Sequence, residues 1–73
     1  MTHEKQKLLI GGQLIAARKD LRMSRGQLCR TSDITIPTSQ ALEKGKTAYT
    51  IDALMTYADA VGLKVVLIKK EED

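Results

Sequence analysis

The sequence predicts a mainly α-helical fold of four short helices, closed by one C-terminal β-strand that pairs with the same strand of a second chain. Apolar residues recur at helical spacing in several segments, and these segments are separated by turn residues and helix-capping residues. The last apolar segment is instead dense in β-branched residues and alternates with period two. No convincing second strand exists in the chain, so this strand needs a partner from another molecule. A chain of 73 residues has room for one domain, whose small core gains from such a partner.

The first helix is amphipathic, because Leu14, Ala17, Arg18 and Leu21 follow the spacing i, i+3, i+4, i+7. Gly11-Gly12 weakens its start. The full set of predicted segments is a flexible N-terminus at 1–7, helices at 8–22, 24–32, 36–44 and 50–61, a dimer strand at 63–68 and a charged tail at 69–73.

The second and third helices are short and lie either side of a tight turn. Ser24 and Thr35 are residues of the N-cap type, and Asp33 tolerates the left-handed conformation that a turn requires. Pro37 fits only a first helical turn, and Gly45 is suited to end the third helix. These residues predict two helices joined through Asp33, Ile34 and Thr35.

The fourth helix begins after the capping residue Thr50 and ends at Gly62. We expect one continuous apolar stripe along it, formed by Ile51, Leu54, Met55, Ala58 and Val61.

The predicted dimer strand follows directly. Its apolar residues are Leu63, Val65, Val66, Leu67 and Ile68. A homodimer in which two such strands pair would satisfy their backbone groups and bury further apolar surface. The alternative is an extended tail that packs on the fourth helix.

Charge is distributed unevenly along the chain. Positions 1–46 hold nine Lys or Arg against four Asp or Glu, whereas the remainder has a net charge of −2. We therefore expect a polyanion to meet the first two thirds of the chain.

Several classes of protein are excluded because the sequence lacks the residues or segments that they require. Cys29 is the only cysteine and His3 the only histidine, so neither a disulfide nor a metal site is expected. Gly11-Gly12 lacks the Gly-Lys-Ser/Thr of a phosphate loop, and we predict no cofactor and no enzymatic activity. No apolar run approaches the length of a membrane span, and no signal peptide is recognisable, so we expect a soluble, cytoplasmic protein with no membrane partner.

Two very short helices joined by a tight turn, between a longer helix and an aliphatic closing helix, match a DNA-binding helix-turn-helix. The segment Met23 to Lys46 resembles the Cro/repressor (Xre) family without a gap. The likeness rests on Leu28, Cys29, Ile34 and Leu42 as core positions, on the ending Glu43-Lys44-Gly45-Lys46, and on Ile10-Gly11, Leu14 and Arg18 in the first helix. It extends over residues 8 to 68 and implies a lambda-repressor-like bundle that binds a palindromic operator in double-stranded DNA as a transcriptional repressor.

Four positions depart from the pattern of that family. Arg25 replaces Gln, Ser32 replaces Ala, Asp33 replaces Gly, and Ser39 replaces an aliphatic residue. These changes make the contact between the two short helices more polar than is usual in the family.

The end of the chain, Thr50 to Ile68, is similar to that of HipB-like antitoxins. This resemblance implies a terminal strand that joins the dimer, repression of the protein's own operon, and a toxin partner of the Hip-type kinase class. No residue of the helix-turn-helix motif indicates toxin binding.

The helix-turn-helix reading assigns roles to individual residues. The expected base-reading residues lie at the start and exposed face of the third helix: Ile36, Pro37, Thr38, Gln40 and Ala41. Gln40 can pair with adenine, and the apolar members can contact thymine methyls, which favours a half-site containing A·T pairs.

The expected phosphate-contacting residues are basic, capping or glycine residues: Arg18, Ser24, Arg25, Thr35, Lys44, Gly45 and Lys46. The family resemblance also implies a salt bridge between Arg18 and Glu43. Lys5 and Lys7 either touch DNA as a mobile arm or are merely solvated. The rival to a DNA reader is a protein-interaction module, an antitoxin or scaffold, that keeps the fold without reading DNA.

Overall fold

The computed structural model describes residues 3–45 and 48–70. It contains four helices, α1 (Glu4–Asp20), α2 (Arg25–Ser32), α3 (Ile36–Lys44) and α4 (Ile51–Ala60). The prediction of a mainly α fold with four helices is therefore confirmed.

The first helix is longer than predicted at its start. It begins at Glu4 rather than at residue 8, with the Lys7 amide donating to the His3 carbonyl at 2.9 Å. Glu4 in the first turn favours this start, because a negative charge interacts well with the N-terminal end of the helix dipole. The expectation of a flexible segment at 1–7 is wrong for residues 4–7. The helix also ends earlier than predicted, at Asp20, and Arg22 has the left-handed φ of 57°.

The other three helices begin at the capping residues that the sequence indicated. Ser24, Thr35 and Thr50 each accept a hydrogen bond, from the amides of Gln27 (3.1 Å), Thr38 (3.3 Å) and Ala53 (3.0 Å) respectively. Such bonds satisfy amides that a helix start leaves unpaired. The predicted bounds 24–32 and 50–61 differ from the observed helices because they include the capping residues. The helix α2 starts at Arg25, and α4 runs from Ile51 to Ala60.

No strand is present in residues 3–45 and 48–70. The predicted strand at 63–68 lies in a segment, 63–70, with no regular secondary structure. A single chain offers this segment no partner for its ladder of hydrogen bonds, as the sequence already implied.

The core is aliphatic, with one aromatic exception. It consists of Leu14, Leu28, Ile34, Leu42, Leu54, Tyr57, Ala58 and Val61. In α4 the buried residues Leu54, Tyr57 and Ala58 follow the spacing i, i+3, i+4, and the C-cap residue Val61 continues this phase at i+7. The predicted stripe is therefore wrong at Ile51 and Met55, which are 57% and 50% exposed.

Candidate nucleic-acid interface

A three-residue turn joins α2 to α3. Asp33 ends α2 in the left-handed conformation, with φ of 65°, and its amide donates to the Cys29 carbonyl at 2.9 Å. Ile34 then enters the core, and Thr35 caps α3. The buried middle residue ties the turn to the rest of the fold, so the two short helices are held as one unit.

One face of α3 is buried and its start is exposed. Ser39, Leu42 and Glu43 are the buried residues, at the helical spacing i, i+3, i+4. Ile36, at the start of the helix, is 44% exposed. Pro37 is also exposed, whereas Thr38, Gln40 and Ala41 are half-buried. All five predicted base-reading residues therefore have some exposed surface.

These five residues do not form one uniform surface. Three of them, Pro37, Thr38 and Ala41, line one side of a shallow groove of about 390 Å³. The remaining lining residues come from the start of α4 and the segment before it: Ala48, Tyr49, Thr50 and Ala53. Ile36 and Gln40 do not line this groove.

Glu43 is the centre of a buried polar network. Its Oε2 accepts from Arg18 Nε at 3.1 Å and from the Tyr57 hydroxyl at 2.5 Å. Its Oε1 accepts from Arg25 Nε at 3.2 Å and Arg25 Nη2 at 2.7 Å. One carboxylate of α3 is thus bonded to side chains of α1, α2 and α4. The Arg18–Glu43 pair is the one that the family resemblance implied.

The surroundings of Glu43 stabilise its ionised form. Burial by itself would raise the pKa of the carboxyl, but the hydrogen bonds from Tyr57 and Arg25 and the charges of Arg18 and Arg25 outweigh it. The pKa of Glu43 therefore lies below its ordinary value. Burial, followed by the hydrogen bond to Glu43, raises the pKa of Tyr57, which keeps its hydroxyl protonated as a donor.

The two arginines of this network differ in accessibility. The Arg18 side chain is 11% exposed, and it also donates from Nε to Tyr57 at 3.3 Å and from Nη1 to the Met23 carbonyl at 2.8 Å. Arg18 is therefore largely enclosed by the fold, and its expected contact with phosphate stays a prediction. The Arg25 side chain is 34% exposed. Part of this side chain therefore lies at the surface, although its Nε and Nη2 donate to Glu43.

Gly45 ends α3 as the sequence predicts, and this position limits what its own amide can contact. Its amide donates to the Ala41 carbonyl at 2.9 Å, and the residue is buried. With φ of 65° it ends α3, and a Cβ there would lie 2.9 Å from that of Lys7. Its N–H is therefore occupied by the helix end and is not free to contact a phosphate.

The remaining predicted phosphate contacts lie at the surface where they are described. Ser24, Thr35 and Lys44 are exposed, and the first two also cap α2 and α3. Lys46 lies outside the described residues. Lys7, considered above as part of a mobile arm, belongs to α1, and its ammonium is 6.0 Å from the centre of the Tyr49 ring.

The predicted dimer segment exposes much of its apolar surface. Val66, Leu67 and Ile68 are 60%, 98% and 87% exposed, Leu63 is 36% exposed, and Val65 packs on the core. The segment forms one side of a groove of about 670 Å³, whose other side is α1 with Leu54 and Ala58 of α4.

Sequence reasoning missed the part played by both tyrosines. Tyr57 lies in the apolar phase of α4, but a partner for its hydroxyl is visible only once α3 and α4 are packed together. Tyr49 lies in the connection before α4, where no periodicity marks it. Its half-buried position raises the pKa of its phenol by desolvation.

Metal-binding groups and membrane-spanning helices are both absent from the described part of the chain. Within residues 3–45 and 48–70, no three His, Cys, Asp or Glu side chains are placed to hold a metal ion. None of the described helices is long and apolar enough to cross a membrane. Comparison of the chain with protein-family models, with curated proteins and with solved structures gave no match.

Proposed function

We propose that this chain is a sequence-specific double-stranded DNA-binding protein of the Cro/repressor helix-turn-helix type, acting as a bacterial or mobile-element transcriptional repressor. The observation that carries this proposal is the unit formed by α2, the turn Asp33 to Thr35, and α3. In such a unit the second helix enters the major groove with its N-terminal residues on the base edges. The inner face of α3 is held by the core and by Glu43, and its start is exposed.

The charges next to α3 suit a phosphate backbone. Glu43 offers one negative charge to Arg18 and Arg25, so this cluster keeps a net positive charge. Arg25 is its exposed member and lies at the first position of α2, where the helix dipole also favours an anion. With Lys44 and the hydroxyl of Ser24, it provides contacts that hold the protein in register on DNA without reading sequence.

A homodimer completes the proposal. The exposed apolar residues Val66, Leu67 and Ile68 lie in a segment whose sequence is that of a strand, and a second copy of the segment supplies the missing partner. Two recognition helices related by a two-fold axis then read half-sites about 34 Å apart, which requires a palindromic operator.

Binding of a partner protein is a second candidate function, favoured by a separate observation. Leu8 and Leu9 of α1 are 57% and 70% exposed, and neither lines the groove beside the C-terminal segment. Two adjacent exposed leucines on one helix offer apolar surface that a partner protein could cover. An autoregulatory repressor that also binds a toxin of the Hip-type kinase class would use α3 to bind DNA and the exposed leucines of α1 to bind the toxin.

Selection from a random duplex library tests the proposed function. We expect repeated rounds with the wild-type chain to enrich a palindrome whose half-sites contain A·T pairs. Recovery of unrelated sequences after the same rounds, with no common half-site, would favour the protein-interaction module instead.

A further inference from the structure

The guanidinium of Arg25 is held along one edge. Its Nε and Nη2 both donate to Oε1 of Glu43, at 3.2 Å and 2.7 Å. A guanidinium is planar and carries several N–H donors beyond these two. The second edge, formed by Nη1 and the other hydrogen of Nη2, faces no carboxylate in the described part of the chain, where Arg25 pairs with Glu43 alone.

This second edge reaches the surface. Within residues 3–45 and 48–70, Nη1 of Arg25 donates to no other residue. No buried side-chain nitrogen or oxygen among these residues lacks a hydrogen-bond partner, so Nη1 is not buried. The exposed fractions agree, because the Arg25 side chain is 34% exposed and that of Glu43 is 1% exposed. A surface donor pair is therefore supported from inside by a buried carboxylate.

The carboxylate is itself fixed. Oε2 of Glu43 accepts from Arg18 Nε and from the Tyr57 hydroxyl, which come from α1 and α4. Glu43 therefore cannot follow the motion of Arg25, and Arg25 is restrained by Glu43. Part of the rotamer freedom that a long side chain loses when it binds a ligand is then already lost on folding.

The second edge has the geometry that recognises a phosphate. Two parallel N–H groups of a guanidinium match two phosphate oxygens, whereas the ammonium of lysine acts as a point charge. A carboxylate of a protein partner offers a similar pair of oxygens. The charge of the chain favours the phosphate, because positions 1–46 hold nine Lys or Arg against four Asp or Glu and so attract a polyanion.

We propose that Glu43 is a positioning residue for DNA binding, which holds the Nε–Nη2 edge of Arg25 so that the Nη1–Nη2 edge binds a backbone phosphate. The inference rests on the proposed function and makes it more specific, because one guanidinium bridges Glu43 and the phosphate at the same time. It also gives a reason for arginine at a position where the family that the chain resembles has glutamine, which has only one amide group and no charge.

Arg25→Lys tests the role of the second edge. Lysine keeps the positive charge, so the slope of affinity against salt for the selected duplex should not change. Its affinity should fall about tenfold, the effect of losing one charge-assisted hydrogen bond. Arg30→Lys is the matched control, since Arg30 is exposed, lies in the last turn of the same helix and pairs with no carboxylate of the described residues. It should leave both affinity and slope unchanged.

The role of Glu43 is tested in the wild-type chain by nuclear magnetic resonance. The Nε–H of Arg25 should exchange slowly with water in the free protein, because it donates to Glu43. Addition of the selected duplex should leave this exchange slow, because phosphate binds the other edge. A role of Glu43 in stability alone gives no reason for the bond to survive DNA binding.

Four results would overturn the inference. If Arg25→Lys binds the duplex as tightly as the wild type, only the charge of Arg25 matters, although the proposed function stands. If the Arg25 Nε–H exchanges rapidly in the free chain, Glu43 does not position it. If the exchange becomes rapid on the duplex, the guanidinium leaves Glu43 for the phosphate or for water. If no duplex is bound at all, the proposed function fails and the inference fails with it, and the second edge is left to an acidic protein partner.

Discussion

Gly11 of α1 packs directly on the backbone of Glu43 in α3. A Cβ at Gly11 would lie 2.8 Å from the carbonyl carbon of Glu43, closer than real Cβ atoms approach other atoms, and 3.0 Å from the carbonyl oxygen of Leu42. At the neighbouring Gly12, a Cβ would meet nothing within 4 Å. Gly11 is therefore required for the close approach of the two helices, whereas Gly12 only lowers the helix propensity of α1.

This contrast predicts opposite effects of two alanine substitutions on stability. Gly11→Ala should lower the free energy of unfolding by about 1–3 kcal/mol, because the backbone of α3 must move to admit the methyl group. Gly12→Ala, the matched control, should raise it by about 0.5–1 kcal/mol. Urea unfolding followed by circular dichroism measures both. Equal stability of the two variants would contradict the packing described.

The Glu43 network predicts a pH dependence of stability. The pKa of Glu43 in the folded chain lies below its ordinary value of 4.5, so its stabilising contribution is present above pH 4.5 and is lost as the pH falls through the folded-state pKa. Glu43→Gln should cost about 3–5 kcal/mol at pH 7, because two arginines lose their buried partner.

The same variant should show a shallower loss of stability with acid below pH 4.5, since it has no carboxylate to protonate at this position. Urea midpoints measured from pH 7 to pH 3 give both slopes. Parallel slopes for the wild type and Glu43→Gln would show that another carboxylate governs the acid transition. If the variant does not fold at pH 7, the steepness of the wild-type profile below pH 4.5 remains the test.

Caps and turn residues made much of the fold predictable from sequence. Ser24, Thr35 and Thr50 act within their own helices, so their effect is local and readable in the chain. The start of α1 was misjudged because Gly11-Gly12 suggested a weak N-terminus, whereas Gly11 is explained by a contact with α3 that lies 32 positions along the chain.

The candidate site was less predictable, because the availability of a basic side chain depends on its neighbours in three dimensions. Arg18 and Arg25 look equally suited to bind phosphate in the sequence. The fold encloses Arg18 among Glu43, Tyr57 and Met23 and leaves Arg25 partly exposed. The groove beside α3 likewise depends on Tyr49 and Ala53, which no motif brings together with Pro37.

Gln40 is predicted to read a base. Gln40→Ala should change sequence preference rather than general affinity, and should cost about 1–3 kcal/mol on the preferred duplex if the amide makes a bidentate contact with adenine. Parallel selections with wild type and variant measure the change, and binding to random duplex provides the control. Recovery of the same consensus by both proteins would count against a base contact at Gln40.

The C-terminal segment is predicted to form the dimer. Val66→Pro should remove a ladder donor and dissociate the dimer, while the four helices remain folded because Val66 is 60% exposed and lies outside the core. Analytical ultracentrifugation gives the oligomeric state, and circular dichroism checks the fold. A wild type that is monomeric at micromolar concentration would show that the dimer does not form. A Val66→Pro variant that stays dimeric would show that the dimer contact lies elsewhere.

The salt dependence of DNA binding tests the central claim most directly. Affinity for the selected duplex and for a scrambled duplex is measured by fluorescence anisotropy across a range of salt concentrations. Wild type should prefer the selected duplex by at least about 10³-fold, and the logarithm of its affinity should fall linearly with the logarithm of salt concentration. Arg25→Ala and Lys46→Ala should each reduce that slope by about one counterion, and Lys69→Ala, from the acidic end of the chain, should leave it unchanged. Identical slopes for all four proteins, or binding that salt does not weaken, would contradict the account.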